Sequence, residues 1–248
     1  MFHSKITIKE GAIFVADAHY SYLREELYDF LEAIKSYKIL TKQLFFMGDI
    51  FDALFGEVKE SQRKNVELIE LINSLSKEIE IIYFEGNHDF NLQSIFPNIQ
   101  IFSINQQPLL CNYENKKILL SHGDFNAGIG YRVYTSLIRN HLFLSFLSFV
   151  DALSSHSILK KLDAYLEKKD DCKTITNFEE IIAKRELHHY NCDYFIEGHY
   201  HQNRVLRVGK MEYINLGAFA CNQRYFIVKS IQNKALLEEK SFSKREKI

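Results

Sequence analysis

The sequence predicts an α/β fold, a mostly parallel sheet with covering helices, interrupted by a helical insertion. Three observations predict it. Short apolar runs alternate with stretches of helical period through the first 125 residues. These runs stop at clusters of Asp, Asn or His. Between residues 125 and 191 the strand signals cease and helical spacing takes over.

Taken in order, residues 12–16 form a buried strand ending at Asp17. Leu23, Leu27, Phe30, Leu31 and Ile34 fall on one helical face, with charged residues between them. Residues 44–47 read as a second strand before Gly48-Asp49, and residues 60–78 as one amphipathic helix. Residues 81–84 read as a third strand before Gly86-Asn87-His88-Asp89. Residues 108–112 with 116–121, and 203–208 with 211–215, read as hairpins. Residues 194–197 make a strand before Gly198-His199, and 225–229 with 235–239 close the fold. The insertion reads as helices over 131–153, 158–168 and 178–190. The expected division is a core of residues 1–124 and 192–248, with residues 125–191 as an inserted lid.

Composition is ordinary for a globular chain of 248 residues, with 46% hydrophobic and 25% charged residues. The formal net charge of -1 gives no basic field of the kind that binds nucleic acid. Cys111, Cys172, Cys192 and Cys221 include no C-x-x-C pair, which argues against a zinc ribbon or a thioredoxin-like motif. Residues 1–13 lack the long apolar stretch of a secretory signal. The expectation is a cytoplasmic chain with reduced thiols. The longest apolar stretch, residues 142–150, falls far short of the ~20 needed to span a bilayer.

Function is carried by the strand ends. They hold Asp17-Ala18-His19, Gly48-Asp49-Ile50-Phe51-Asp52, Gly86-Asn87-His88-Asp89, Ser121-His122-Gly123-Asp124 and Gly198-His199-Tyr200-His201. Residues beyond the carboxyl ends of sheet strands converge in space. Carboxylates, a carboxamide and imidazoles, with no thiolate, suit Mn²⁺, Fe²⁺, Zn²⁺ or Mg²⁺. Seven such donors exceed one open metal site and fit two cations sharing a carboxylate. Any one motif alone is weak: an Asp before a turn is usually a cap, and a lone His usually a satisfied core residue. Five such clusters along one chain are not explained that way. His3, His141, His156, His188 and His189 lie outside the clusters and read as surface residues.

The series D-x-H, G-D-x-x-D, G-N-H-D, H-G and G-H-x-H, from Asp17 to His201, resembles the calcineurin-like metallophosphoesterase superfamily. The resemblance implies a four-layer α/β/β/α sandwich and a pair of divalent cations, most often Mn²⁺. It assigns Asp17, His19 and His201 to one cation, Asn87, His122 and His199 to the other, and Asp49 to both. His88 would face the scissile phosphate, oriented by Asp52, and Asn87 would also touch substrate.

The insertion discriminates among substrates. Its Phe/Leu-rich run, residues 142–150, is too crowded for one narrow helical stripe. It is either a helix buried on most sides or an apolar chamber or membrane-facing lid. Residues 126–169 carry six Lys/Arg and three acids, whereas residues 1–125 carry twelve and eighteen. A basic, apolar lid suits an anionic amphiphile or an anionic membrane surface. A chain of this size with this insertion is similar to the UDP-2,3-diacylglucosamine pyrophosphohydrolases of bacterial lipid A synthesis. That similarity implies a UDP-linked lipid substrate, contact with the inner membrane, and Arg132, Phe143, Phe146 and Phe149 as candidate substrate contacts. The branch carries Arg where this chain has His88, and acidic residues where this chain reads Phe125 to Gly130. The rival is a soluble phosphodiesterase or phosphatase acting on nucleotides or phosphoproteins, which has no need of an apolar lid. A metal-free binding scaffold would have lost ligands, and every expected ligand is present.

Overall fold

The computed structural model describes residues 6–125, 128–230 and 236–243. In its first half lie β1 (Ile6–Thr7), β2 (Ile13–Val15), α1 (Glu26–Lys35), β3 (Gln43–Phe46), β4 (Leu54–Phe55), α2 (Lys59–Lys64), α3 (Val66–Leu75), β5 (Glu80–Phe84), β6 (Asp89–Phe90), β7 (Gln100–Phe102), β8 (Leu109–Tyr113) and β9 (Lys116–Ser121). Four helices follow: α4 (Ile129–Ile138), α5 (His141–Leu153), α6 (Ser157–Leu166) and α7 (Phe178–Lys184). The chain closes with β10 (Tyr194–Glu197), β11 (Arg204–Val208), β12 (Met211–Asn215), α8 (Phe219–Asn222), β13 (Arg224–Val228) and β14 (Leu237–Ser241).

Two six-stranded sheets result, ordered β1-β8-β9-β10-β12-β11 and β14-β13-β2-β3-β5-β7, with β4 and β6 as a separate pair. Strand residues alternate between faces, and here both faces are buried. Phe14, Phe45 and Ile82 pack toward Ile118, Leu120 and Ile196 of the other sheet. Ile13, Leu44, Phe46 and Ile81 turn the other way, onto Leu27, Phe30 and Leu31 of α1 and Leu68 and Ile72 of α3. On the far side, Phe178 and Ile182 of α7 cover Leu119, Phe195 and Tyr213. The order of layers is therefore helix, sheet, sheet, helix.

The helices α4 to α7 divide by their packing. The last of them, α7, forms the outer layer of the core, whereas Leu144 and Leu159 of α5 and α6 join Val58 and Phe90 in a small separate cluster. Two expected helices are broken. Residues 60–78 split at Asn65, whose buried amide donates to the carbonyls of Ser61 and Ala53. Residues 131–153 split at Asn140, whose side chain caps α5 by accepting from the Leu142 and Phe143 amides. A third difference is chemical. Cys172 and Cys221 are joined in a disulfide, which corrects the expectation of four reduced thiols; Cys111 and Cys192 remain free. The two cysteines are 49 residues apart in sequence, yet the fold brings their Cα atoms to 5.6 Å, within bridging range.

Candidate active site

Strand order explains the convergence. Asp17, Asp49 and Glu85-Gly86-Asn87 follow the parallel neighbours β2, β3 and β5; His122 and His199 follow β9 and β10 of the facing sheet. The two sheets thus present their carboxyl ends to one another.

Three groups of donor atoms lie there, one of them His19 with Asp52 and His88. Asp17, His19 and His201 form the second, and Asp49, His122 and His199 the third. His201 Nε2 lies 3.2 Å from Asp17 Oδ1, and His122 Nε2 3.4 Å from Asp49 Oδ2. Asn87 Oδ1 and His199 Nδ1 are each 3.3 Å from His122 Nε2. All seven side chains proposed from sequence as metal ligands therefore face one region. Five of them, Asp17, His19, Asp49, His199 and His201, have φ between 45° and 65°, in the left-handed region. Such backbone is costly, and its concentration here marks a site rather than a set of turns. Two glycines are required here: Gly48 has φ of 90° and a Cβ on it would lie 2.4 Å from His122 Nδ1, and a Cβ on Gly86 would lie 2.1 Å from Asp49 Oδ1. The first glycine serves both a turn and space, the second serves space.

The orientation of each ring is fixed from behind. His122 Nδ1 is 3.0 Å from the Met47 carbonyl, and His201 Nδ1 2.5 Å from the Asp171 carbonyl. His19 Nδ1 is 3.2 Å from Asp52 Oδ1, which leaves His19 Nε2 buried with no protein partner. That orphaned nitrogen, beside Asp17 and His201, fits a cation. The Asp52 carboxylate is nearest His19, whereas His88 Nδ1 is held by the Asp52 backbone carbonyl at 2.8 Å, so Asp52 orients His88 through its main chain. The carboxylate stands 4.0 Å from His88 Nδ1, farther than the main-chain carbonyl.

Charge coupling gives the same picture. Burial would raise the Asp17 carboxyl, but neighbouring His201 and His122 hold it below its ordinary value. Burial would depress His122 and His201, yet Asp49 holds the first well above the imidazole range and Asp17 lifts the second to about 8. His199, buried and beside His122, is depressed to about 4. Carboxylates buried this densely draw positive charge toward themselves, whether carried by a proton or by a metal.

Three residues were not legible as site residues. Asp89, fully buried, accepts from the amides of Asp49, Ile50, Phe51 and Gly86 and from the Tyr83 hydroxyl, so it shapes the loop carrying Asp49. Lys169, from the segment after α6, brings Nζ to 3.4 Å from His88 Nε2. Arg139, at the end of α4, donates to the Gly86 carbonyl at 2.8 Å and lies within 3.5 Å of Glu85 and Asp124. The acid at 89 stood inside a motif and could have been found there; the two cations had no motif around them.

Beside this region lies a cavity of about 380 Å³, walled in part by α4, α5 and α6. Asp52, Asn87 and His88 line it, together with Phe55, Phe90, Tyr134, Ile138, Leu144, Leu147, Leu159 and Leu162. The expected trio of phenylalanines is not there. Phe146 and Phe149 point outward, each 61% exposed, because the face of α5 that turns inward carries Leu144 and Leu147. Phe143 and the exposed Arg132 border a second cavity of about 1270 Å³, on the other side of α4. The exposed face of α5 also corrects the reading of this helix as buried on most sides. His141, His156, His188 and His189 lie apart from the clusters; His3 is outside the described residues.

A four-layer fold that gathers Asp, Asn and His at the facing ends of two sheets defines a metal-dependent phosphoester hydrolase. Residues 12–203 match the Calcineurin-like phosphoesterase family, and the chain belongs to it. Among curated relatives, it is 22% identical to UDP-2,3-diacylglucosamine hydrolase of Histophilus somni (strain 129Pt), over 77% of this chain and 84% of that one. It is 24% identical to the hydrolase of the same name from Blochmanniella pennsylvanica (strain BPEN), over 86% and 88%, and 26% identical to that of Wigglesworthia glossinidia brevipalpis, over 79% and 81%. A solved archaeal phosphodiesterase is similar at 14% identity and a TM-score of 0.45, covering 93% of this chain and 99% of that one. Among the described residues no single helix is long and apolar enough to cross a membrane; α5 and α6 pass that test only as a pair bent by 100°.

Proposed function

We propose that the chain hydrolyses the pyrophosphate of UDP-2,3-diacylglucosamine to UMP and 2,3-diacylglucosamine 1-phosphate, the substrate in the names of the relatives above. The observation that carries this reading is the apolar cavity that Asn87 and His88 help to line. Asp17, His19 and His201 would hold one divalent cation, and Asn87, His122 and His199 the other, with Asp49 shared. When bound, the cations supply Lewis acidity and lower the pKa of the attacking water. Mn²⁺ is the proposed metal; Fe²⁺, Zn²⁺ and Mg²⁺ suit the same donors.

The chain's own groups do the rest. With Nδ1 donating to the Asp52 carbonyl, His88 would turn Nε2 toward the substrate; as the doubly protonated imidazolium it would stabilise charge on the phosphoryl oxygens and pass the Nε2 proton to the leaving oxygen, ending as the neutral ring. The Lys169 ammonium adds positive charge at that point. Asn87 touches substrate as well as metal. The acyl chains would occupy the cavity, where each buried methylene contributes about 0.8 kcal/mol toward holding the pyrophosphate in place. Arg132 and Phe143, on the second cavity, would contact the polar end of the substrate.

This reading keeps residues 1–124 and 192–248 as catalytic core and residues 125–191 as the insertion, of which α4 to α6 act as the lid. Leu142, Phe146, Phe149 and Leu153 form an exposed apolar face on α5, and Lys160 and Lys161 follow in α6. That face supports docking on the cytoplasmic side of the inner membrane, with the chain otherwise in the cytoplasm. The test is phosphorus NMR of Mn²⁺-loaded protein with UDP-diacylglucosamine in detergent. UMP and lipid monophosphate should appear together; cleavage of soluble phosphodiesters alone would favour a soluble phosphodiesterase.

A further inference from the structure

The segment between α6 and α7 lies across the His201 side of the site, yet almost nothing apolar holds it there. From residue 167 to residue 174 the chain has no regular secondary structure, and only Asp171 is buried. Within this strap, the Asp171 carbonyl meets His201 Nδ1 at 2.5 Å, and Lys169 Nζ approaches His88 Nε2 at 3.4 Å. Over residues 167–174 its non-covalent ties are polar; the apolar anchors, Leu166 and Ile175, flank it. Arg24 pairs with Asp171 at 2.6 Å, Tyr22 donates to Glu167 at 2.5 Å, and the Gln202 side chain receives the Ile175 amide at 2.7 Å.

The covalent tie is the bond from Cys172 to Cys221. Cys221 belongs to α8, whose Phe219 and Ala220 amides donate to the carbonyls of Ala16 and Asp17, at 2.9 and 3.2 Å. The disulfide therefore connects the segment that orients His201 to the helix that holds the backbone of Asp17. Both residues belong to the same donor cluster. Where no core is available to fix a segment, a disulfide does that work by restricting the unfolded alternatives. Cys172 is exposed, so its sulfur is open to an attacking thiolate.

We propose that Cys172–Cys221 is a thiol–disulfide exchange site, taking a dithiol as its reductant, and that its redox state sets the affinity of the Asp17, His19 and His201 cluster for a divalent cation. One thiolate of the dithiol attacks the Cys172 sulfur. The S–S bond breaks, Cys221 leaves as a thiolate and takes up a proton. The second thiol of the reductant, deprotonated, then attacks the mixed disulfide and displaces the Cys172 thiolate, which is protonated in turn. The dithiol departs as its own disulfide, having given two electrons to the cysteine pair. The freed strap keeps only its polar ties, and His201 loses the fixed carbonyl behind it. Loss of a partner behind a ligating imidazole costs about tenfold to a hundredfold in metal affinity.

The inference shares with the proposed function the assignment of His201 as a metal ligand, and the experiment separates the two. Thiols are counted in denaturant before and after a phosphine reductant, which, unlike a dithiol, does not chelate Mn²⁺ by sulfur. Mn²⁺ binding isotherms and backbone amide exchange over residues 167–174 are then measured on oxidised, reduced and Cys221→Ser protein. The expected count is two thiols, Cys111 and Cys192, rising to four. Reduced protein and Cys221→Ser should bind one of two Mn²⁺ about tenfold more weakly and exchange faster in the strap, and only the wild type should recover on reoxidation. Four thiols in protein treated with an oxidised dithiol would overturn the proposal, as would unchanged isotherms or unchanged exchange on reduction. Oxidised protein that binds no Mn²⁺ would instead remove the metal assignment, and the proposed coupling with it.

Discussion

Replacing Glu197 by Leu tests whether the insertion is joined to the metal-side strand ends by a buried ion pair. Glu197 is fully buried at the end of β10, two residues before His199. Arg185, just past α7, has an 8% exposed side chain and bonds both carboxylate oxygens through Nη1 and Nη2. The Tyr213 hydroxyl donates to Oε1 at 2.6 Å and the Ser121 hydroxyl to Oε2 at 3.2 Å, so the carboxylate gathers β9, β12 and α7 around it. Removing one partner of such a pair strands the other charge in the interior and costs about 3–5 kcal/mol. The guanidinium also stands over the rings of Phe125 and Tyr200, at 5.3 and 5.6 Å from their centroids, and would keep those contacts. Each returns about 0.5–1 kcal/mol, so the low end, about 3 kcal/mol, is expected for Glu197→Leu. The double variant Glu197→Leu with Arg185→Met should recover the part of the loss due to the stranded charge, since apolar replacement of a buried pair is about neutral, while the Tyr213 and Ser121 hydroxyls remain without their acceptor. Urea unfolding of metal-free protein measures this as a shift in midpoint at constant slope. A single variant costing under about 1 kcal/mol, or a double variant worse than the single, would refute the ion-pair argument.

Asp49→Asn should weaken Mn²⁺ binding at both sites, whereas His201→Ala should weaken one, as read by metal content after dialysis; equal effects would refute the shared carboxylate. Chelation of the metal should abolish activity, and its return should restore it; full activity after complete removal would sink the two-metal mechanism. His88→Ala should lower kcat about 10²–10⁴-fold while metal content is retained, and a collapse in metal content would make His88 a ligand. Leu147→Ser with Leu162→Ser, on the cavity wall, should reduce cleavage of the diacyl substrate far more than that of a small soluble diester. Phe146→Ser with Phe149→Ser, on the outer face, should spare both reactions in detergent and weaken binding to anionic vesicles; a loss of lipid cleavage in detergent would return those rings to the substrate site.

Strand ends and candidate donor residues were readable because they are local statements. A short apolar run followed by a polar turn says where a strand stops, and the same few residues carry the donor atoms. Hence β10 was placed at residues 194–197 with the same limits that the structure gives it, and the residues proposed as ligands meet in space. Helix breaks at Asn65 and Asn140 were missed for a local reason of another kind. Each Asn side chain competes for backbone groups, an effect that apolar periodicity does not register.

By itself, the sequence determined the layered α/β class, the set of donor residues and the presence of an apolar, basic insertion, since these follow from residue type and spacing along the chain. Only the tertiary structure decided which face of α5 turns inward, so that Leu144 and Leu147 line the cavity while Phe146 and Phe149 face outward. It also decided that the Asp52 carboxylate serves His19, that Lys169 reaches His88, and that Cys172 meets Cys221. The physical reason is common to all four. A helix with apolar residues on every side has no preferred face until a neighbour covers one. A side chain likewise has no preferred partner until the backbone of a distant segment sets the few ångströms between them.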